Sequence, residues 1–397
     1  MNRIGMNMER VKQQNRALIL SYVCSKGPVS RKDIAQDTGL TAASVTQIVN
    51  ALIKEKLITE LGTDSNSTGI AGRKKILVDI RCDSEFVFAV NIEPDETTVA
   101  LCDLKGHPVK TRNGSELVSR FVTESGIPAH QFLEKIASEC TALSGMTSET
   151  RRKHIKAVSV GITGIVDTEK GRSVHAYGIW TEPVDIRAIL GSKLGLPVMV
   201  ENNVDAFALA ALLFGTGRGQ DNLLIIKWGP GVGSTIIIND SIYKGRHGKT
   251  AEIGHTIMDP KGKPCNCGRR GCLETKVSYR ALRSIIPSFT PETFDECYEN
   301  ASPEVKKQID DAIDLFARSL VNASTIIAPR RVILFGKMFR IESVRKKLIA
   351  SCSAFDPAYN EKRILHTTMS DRESFVGPAA AYSQFRFRQQ SAEDLLI

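Results

Sequence analysis

The sequence predicts a mixed α/β protein in which a small, basic N-terminal unit precedes a larger α/β region. From Glu85 onward, apolar strand-like runs alternate with helical segments, which is typical of α/β folds. In front of them, short helical patterns are separated by a glycine turn. The first 81 residues carry 13 Lys and Arg against 7 Asp and Glu, whereas the other 316 carry 40 against 37. The excess positive charge therefore lies in the N-terminal unit, where it favours a polyanionic partner.

A helix-turn-helix arrangement is indicated at the start of the chain. Arg10–Cys24 has a helical apolar pattern and predicts the first helix. Ser30 begins an S-x-x-D capping arrangement that opens a second, short helix, and Gly39 supplies the turn after it. Thr41 is placed to cap a third helix from Ala42 to about Lys56. Its apolar stripe consists of Val45, Ile48, Val49, Leu52 and Ile53.

The remaining side chains of this third helix are small or carry amides, so they can enter a major groove without clashing. Together with the residues that open the two helices, they are the predicted DNA contacts of this part of the chain: Ser30, Arg31, Thr41, Ala42, Ala43, Ser44, Thr46, Gln47 and Asn50. The alternative is that the helices only pack against each other.

A wing is predicted after the third helix. Two strand-like runs, at 57–60 and 76–80, flank a polar tip that is rich in Gly, Ser and Thr. The tip ends in Arg73, Lys74 and Lys75, which can meet phosphates or a narrow minor groove. A basic triplet is more often a solvated surface. Order, spacing, glycine turn and charge together favour a winged helix-turn-helix unit, at residues 1–81, that binds double-stranded DNA.

One cysteine cluster predicts a metal site. His255, Cys265, Cys267 and Cys272 supply four soft or borderline ligands, which suffices for a closed, structural tetrahedral zinc site. The alternative is a set of reduced thiols in a surface loop. The other six of the nine cysteines are scattered, so no disulfide framework is indicated. The sequence has no apolar run long enough to span a membrane and no signal-peptide layout, so we expect a cytoplasmic protein without a membrane partner.

Five motifs make the sequence similar to the ROK family (repressor, ORF, kinase). They are GITGIVD (161–167), VENNVDA (200–206), GPGVGS (229–234), EIGH (252–255) and CNCGRRGCLE (265–274). The resemblance implies two ribonuclease-H-like lobes of the actin-like ATPase, sugar-kinase type, with a sugar cleft between them, and homodimers or homotetramers. We expect the lobes at 82–200 and 201–397, with the C-terminal segment returning to the first. A preceding winged helix is similar to the repressor branch, the xylose and N-acetylglucosamine repressor type.

The resemblance also implies which residues bind sugar. On the matching motif positions these are Gly164, Asn202, Asn203, Glu252, His255 and Glu274. The family carries zinc at the His255–Cys272 motif, and all four ligand positions match here. Tyr177 and Trp180 follow the GITGIVD turn, so either ring is a candidate for stacking on a pyranose; the alternative is core packing.

Kinase residues of the family are missing from four places. Asn203 stands where the family kinases have the Asp that takes the hydroxyl proton, and an amide cannot accept a proton at neutral pH. Asn91–Asp95 lacks the glycines of the first phosphate turn and is acidic, while Pro230 and the single Gly336 alter two further turns. We therefore predict a sugar-responsive repressor without ATP chemistry. Two alternatives stay open: a bifunctional sugar kinase that also binds DNA, and a repressor whose cleft binds a phosphocarrier protein or nothing.

Overall fold

The computed structural model describes residues 8–63, 75–124, 126–215, 217, 222–245, 251–287 and 289–388. Its N-terminal unit contains three helices and three short strands, and the strands pair antiparallel in the order β1-β3-β2. The elements are α1 (Met8–Lys26), β1 (Val29–Ser30), α2 (Arg31–Thr38), α3 (Ala42–Lys54), β2 (Ile58–Thr63) and β3 (Ile76–Ile80).

Capping defines the two helices of the helix-turn-helix. Ser30 and Asp33 form the reciprocal capping box that the sequence predicts, with both hydrogen bonds in place. Gly39 ends α2 in the left-handed region, at φ 70°, and Thr41 caps α3 through the backbone N–H of Ser44. At its other end, α3 stops at Lys54, two residues before the predicted end.

A five-stranded sheet, in the order β10-β7-β4-β5-β6, forms what we call the first lobe. Strand β4 lies in the middle, parallel to β7 and antiparallel to β5, so each of its residues is buried. The elements of this part are β4 (Phe86–Ile92), β5 (Glu96–Cys102), β6 (Val118–Val122), α4 (Ala129–Gly145), α5 (Glu149–Arg152), β7 (Ile155–Ile162), β8 (Ile165–Asp167), β9 (Arg172–His175), α6 (Ile186–Leu194), β10 (Val198–Asn202) and α7 (Asn203–Phe214).

A second five-stranded sheet, in the order β13-β12-β11-β14-β15, forms the second lobe. Among the described residues, a one-turn 3-10 helix at Ile253–His255 and four α-helices lie between the third and fourth strands in chain order, and three further α-helices follow the fourth strand. The elements are β11 (Asn222–Trp228), β12 (Val232–Ile238), β13 (Ser241–Ile242), α8 (Glu274–Val277), α9 (Tyr279–Arg283), α10 (Phe294–Glu299), α11 (Pro303–Ile327), β14 (Arg331–Phe335), α12 (Lys337–Arg340), α13 (Glu342–Phe355), β15 (Ile364–His366) and α14 (Val376–Arg388).

The sheets refine the predicted division of the chain. Strand β10 pairs with β7 along its full length, as far as Asn202, so a boundary between residues 200 and 201 would cut a strand. Helix α14 packs on α7, β4 and β7 and also contacts α1 of the N-terminal unit. One hydrophobic core accordingly runs from the N-terminal helices into the first lobe. Among the described helices, none combines the length and apolar character needed to cross a membrane.

Candidate functional site

Helix α3 presents a polar surface to solvent. Val45, Val49 and Leu52 are buried against the N-terminal core, so the opposite face points outward. Ser44 is half-buried, and the other predicted contacts of this helix and its cap are exposed: Thr41, Ala42, Ala43, Thr46, Gln47 and Asn50. Two hydroxyls on this face are engaged locally, since Thr41 Oγ1 donates to Ser44 Oγ and Thr46 Oγ1 donates to the carbonyl of Ala42.

Ser30 does not belong to this surface. Only 3% of it is exposed, because its hydroxyl donates to the Asp33 carboxylate and accepts from the Asp33 N–H. The capping box that the same residue was predicted to form thus engages the side chain that was predicted to contact DNA.

The basic residues next to α3 are ion-paired. Arg31 Nη2 contacts Asn50 Oδ1 at 3.1 Å and Glu60 Oε1 at 2.8 Å, which ties α2, α3 and β2 together. Lys75, at the base of the wing, lies 2.9 Å from Asp33 Oδ1. The predicted contacts Arg73 and Lys74 lie outside the described residues. Both exposed pairs can exchange their carboxylate for a phosphate at little cost, because such pairs contribute only about 0–1 kcal/mol.

The four predicted metal ligands converge on one point. The ligand atoms of His255, Cys265, Cys267 and Cys272 all lie within 4.8 Å of one another. His255 Nδ1 is 3.5 Å from Cys265 Sγ, and Cys267 Sγ is 3.6 Å from Cys272 Sγ. Tetrahedral zinc with Zn–S bonds of about 2.3 Å requires ligand atoms roughly 3.5–4 Å apart. The donor set and its spacing thus fit a four-coordinate zinc ion.

His255 connects this cluster to a second polar group. Its Nδ1 faces the thiols, whereas its Nε2 lies 3.8 Å from Glu252 Oε2. Burial, with a smaller contribution from Arg269, lowers the pKa of His255 to about 4. The imidazole is therefore neutral at physiological pH, which is the form that binds a metal.

The first lobe contributes Gly164, Asn202 and Asn203. The Asn202 side chain donates to the Gly164 carbonyl at 2.8 Å and accepts from Val204 N–H, so it fixes the start of α7. Asn203 is only 6% exposed, and among the described residues its Nδ2 atom has no hydrogen-bond partner. A buried amide of this kind is costly unless a ligand or water satisfies it. Asn203 is hence a candidate for direct ligand contact, while Asn202 positions the backbone.

Tyr177 joins the two polar groups across the lobes. Its ring lies 5.3 Å from the His255 ring and 4.7 Å from the His175 ring. His175 in turn contacts the Gly164 turn, where a Cβ would lie 2.1 Å from the His175 carbonyl oxygen. Trp180 is different, since its indole N–H donates to Ser173 and its ring packs on Phe132 in the first-lobe core. Of the two aromatic candidates, only Tyr177 reaches the cleft.

Glu274 connects the metal cluster to the glycine turn between β11 and β12. Its Oε2 accepts the backbone N–H of Val232 at 2.9 Å, and a side chain at Gly231 would place its Cβ 2.6 Å from the same oxygen. Burial raises the pKa of Glu274, while the Val232 N–H counteracts part of that effect. The turn that holds phosphate in the family kinases here holds a carboxylate.

Asp205 is engaged by Thr235 of β12 and by Lys244. Its carboxylate accepts the Thr235 hydroxyl at 2.6 Å on β12 and lies 3.8 Å from Lys244, which also binds Glu201 at 2.7 Å. Burial and the neighbouring Glu201 raise the pKa of Asp205 to about 6. This carboxylate links β12 to α7.

Between the lobes lies a cavity of about 450 Å³ at the altered phosphate turns. Glu93 of the β4–β5 turn binds Lys227 of β11 at 2.5 Å, and Asp95 binds Lys337 of α12 at 2.5 Å. These acids occupy the turn that the sequence identified as acidic and lacking glycine. The cations that a nucleotide would need here are already paired with carboxylates from the opposite lobe.

Sequence reasoning missed the basic side of this cavity. Lys227 is the one charged residue in the apolar run LLIIKW (223–228), and a single charge in a buried strand indicates a partner or a ligand. That signal was available. The pairing of Lys337 with Asp95 could not be read from the sequence, because the two residues are 242 positions apart in the chain.

The comparisons with known proteins match this architecture. The ROK family model matches residues 94–384. The chain belongs to the ROK family. A second model, winged helix-turn-helix DNA-binding, matches residues 14–59, in front of the ROK domain. The predicted fold class, a winged helix-turn-helix followed by a two-lobed sugar-kinase-type α/β domain, is confirmed.

Relatives and solved structures agree with that order. The ROK chain is 26% identical to a putative xylose repressor of Caldicellulosiruptor sp. (strain Rt8B.4), over 94% of this chain and 96% of the relative. It is 25% identical to the transcriptional dual regulator NagC of Escherichia coli K12, over 87% and 86%. A ROK family transcriptional regulator, a homologue of E. coli MLC, aligns over 94% of this chain and 98% of its own with a TM-score of 0.72 and 21% identity. The ROK glucokinase of Streptomyces griseus covers 75% of this chain with a TM-score of 0.59 and 22% identity.

Proposed function

We propose that this ROK protein is a sugar-responsive transcription repressor that binds an operator through its winged helix-turn-helix and a sugar through its ROK domain. The observation that carries the proposal is the combination of an exposed, polar α3 surface with a preserved sugar-side cleft and an ion-paired nucleotide side. A relative named as a putative xylose repressor and one named as a DNA-binding transcriptional dual regulator align with most of this chain, over 94% and 87% of its length. We place the protein in the cytoplasm, where an operator and a metabolite effector are both accessible.

Double-stranded DNA is the proposed macromolecular partner. The exposed face of α3 would enter the major groove, with Gln47 and Asn50 able to form amide hydrogen bonds to base edges. Arg31 and Lys75 would contact phosphates, since each is held beside this face by an exposed ion pair. A homodimer or homotetramer would present two such helices to a palindromic operator.

Zinc is the proposed cofactor, held by His255, Cys265, Cys267 and Cys272. Bound there, it would be structural, because four protein ligands fill its coordination shell. Its role would be to fix His255 Nε2 and Glu252 on one side of the cleft and Glu274 on the other. Asn203 and the Gly164 turn would complete a polyol site with convergent polar groups and the Tyr177 ring beside them.

Phosphoryl transfer is not part of the proposed function. Asn203 has no carboxylate to accept a hydroxyl proton, and Asp205 is committed to Thr235. Glu93 and Asp95 pair with Lys227 and Lys337 where the phosphate turns lie. The competing function is a bifunctional sugar kinase that also binds DNA. The observation in its favour is the fold similarity to ROK kinases.

The test is a DNA-binding titration with a sugar panel. The duplex is recovered from a randomised pool by the protein itself, and its affinity is measured against salt and against pentoses, hexoses, N-acetylhexosamines and their 6-phosphates. We expect affinity to fall steeply with salt and to change with one sugar. Flat titrations across the panel would remove the effector half of the proposal. ATP turnover with any sugar of the panel would favour the bifunctional kinase.

A further inference from the structure

The wing is tied to the first lobe by a mostly buried ion pair. Asp79 lies on β3 and Lys105 in the turn after β5; their charged atoms are 2.7 Å apart, and the side chains are only 15% and 18% exposed. Gly27 packs against the same carboxylate, since a Cβ there would lie 2.3 Å from Asp79 Oδ1. Breaking a pair of this kind leaves a buried charge without a partner, so the contact fixes the wing on the body.

Arg372 holds the same turn from the opposite side. Its Nη1 donates to the carbonyls of Lys105 and Gly106, at 3.2 and 3.3 Å. Its guanidinium lies 5.9 Å from the ring of Phe214, the last residue of α7. That helix begins at Asn203, the buried amide on the sugar side. Arg372 therefore contacts both the anchor of the wing and the far end of the helix that starts in the cleft.

Glu373, the residue after Arg372, contacts the second lobe. Its Oε1 lies 2.7 Å from Arg340 Nη2, and its Oε2 accepts the Gly336 N–H at 3.2 Å. The side chain is 7% exposed and lines the inter-lobe cavity. Arg372 and Glu373 are adjacent in the chain; the first contacts the Lys105 turn that anchors the wing, and the second contacts the second lobe.

Arg16 forms a second attachment at the other end of the same segment. Its Nη1 donates to the carbonyl of Phe387, near the end of α14, at 2.9 Å. Its Nη2 lies 2.5 Å from Oε2 of Glu55, the residue that directly follows α3. Arg16 is 8% exposed, so this contact is also internal.

We propose that the segment from Arg372 to Phe387 transmits the state of the inter-lobe cleft to the DNA-binding unit, with Arg372 as the joint and Lys105 and Arg16 as positioning residues. The proposal rests on the proposed function, because it concerns how a sugar reaches the operator contacts. Adjacent residues cannot separate by more than one peptide unit. A shift of Gly336 and Arg340 relative to the first lobe must therefore move the Lys105 turn, the segment after Arg372, or both.

The first experiment needs neither DNA nor sugar. Amide hydrogen exchange is compared between the wild type, Arg372→Gln and Arg318→Gln. Arg318 is a matched control because its guanidinium also lies over a phenylalanine ring, 5.5 Å from Phe355, at an exposed position. We expect Arg372→Gln to accelerate exchange in α1 and β3, far along the chain, while β8 and β9 and the control remain unchanged. Unchanged exchange in β3 would overturn the joint.

The second experiment measures coupling on the duplex recovered by the wild type. Lys105→Met and Arg372→Gln are each expected to weaken duplex binding about 10-fold and to remove the effect of the active sugar. The double variant is expected to be no weaker than either single variant, because both act on one link. Lys110→Met is the control, because Lys110 forms an exposed and long ion pair: its side chain is 62% exposed and its Nζ lies 3.9 Å from Glu116 Oε1. Additive losses, or a retained sugar effect in folded variants, would contradict the proposal.

The two failures are distinguishable. If the wild type recovers no duplex, the proposed function fails, and hydrogen exchange still decides whether Arg372 holds the wing. If the wild type binds DNA and responds to a sugar, but Lys105→Met and Arg16→Gln respond like Lys110→Met, the transmission proposal fails alone.

Discussion

Asn203 places an amide where proton abstraction would require a carboxylate. We expect Asn203→Asp to leave ATP turnover at background, because Glu93 and Asp95 still pair with the lysines of the phosphate side. The same variant should weaken binding of the active sugar, since a charged group replaces a buried amide. Coupled ATP-turnover assays and calorimetry measure both effects. Turnover that appears with this single change would show that the cradle is still functional.

Asp205 predicts a pH dependence of stability. Its pKa of about 6 in the folded chain exceeds the unfolded value of about 3.9, so the folded state binds more protons between these limits. The contribution of Asp205 to the free energy of unfolding therefore falls as pH rises from about 4 to 6, and is constant above. We expect the melting temperature of Asp205→Asn, relative to wild type, to rise across that window.

Asp311→Asn is the control for this measurement, because Asp311 forms an exposed pair with Lys307 on α11. A melting-temperature difference between Asp205→Asn and wild type that stays level from pH 4 to 7 would contradict the assigned pKa. The assigned pKa would also be contradicted if the melting-temperature difference between Asp311→Asn and wild type changed with pH as steeply as that of Asp205→Asn.

Helix α3 is the element that we propose reads the operator. Gln47→Ala and Asn50→Ala should each weaken operator binding by roughly 10-fold, since an amide contact to a base is worth about 1–3 kcal/mol. Gln308→Ala on the exposed face of α11 is the matched control. Fluorescence anisotropy with the recovered duplex gives the affinities. If Gln47→Ala and Gln308→Ala bind equally, the base-reading face lies elsewhere.

The metal loop is the element that we propose positions the sugar-binding residues. Cys267→Ser should lose bound zinc and the response to sugar while retaining operator affinity, because the cluster orders Glu252 and Glu274 and makes no contact with α3 among the described residues. Cys297→Ser is the control, a half-buried cysteine outside the cluster. Zinc content and operator titrations measure the two effects. A Cys267→Ser protein that keeps its sugar response would separate the cluster from the cleft.

At this scale the sequence was most informative where a local rule decides the structure. The capping residues of α2 and α3 and the cysteine cluster follow from short-range chemistry, and the structure has them where the sequence indicates. Ser30 matched two rules, as a helix cap and as a DNA contact, and in the structure its side chain forms the cap. The pairs Asp79–Lys105 and Arg16–Glu55 depend on how distant segments pack, which no local pattern encodes.

The whole molecule combines two functions on one continuous core. The winged helix-turn-helix shares that core with the first lobe, and α14 lies between α1 and α7. Ion pairs across the inter-lobe cavity stand where a nucleotide would bind, so the closure of the lobes is set by the protein and by what enters the sugar side. The proposed DNA-binding and sugar-binding regions thus share one packed core but use different side chains.

Stepwise removal of zinc tests this separation most directly. Operator affinity, with and without the active sugar, is followed while a chelator is titrated into the wild-type protein. The sugar response is predicted to disappear first, at chelator concentrations where operator affinity without sugar is unchanged, because the four ligands hold the cleft and not α3. Loss of operator affinity before loss of the sugar response would contradict the account and would assign the cysteine cluster to DNA binding instead.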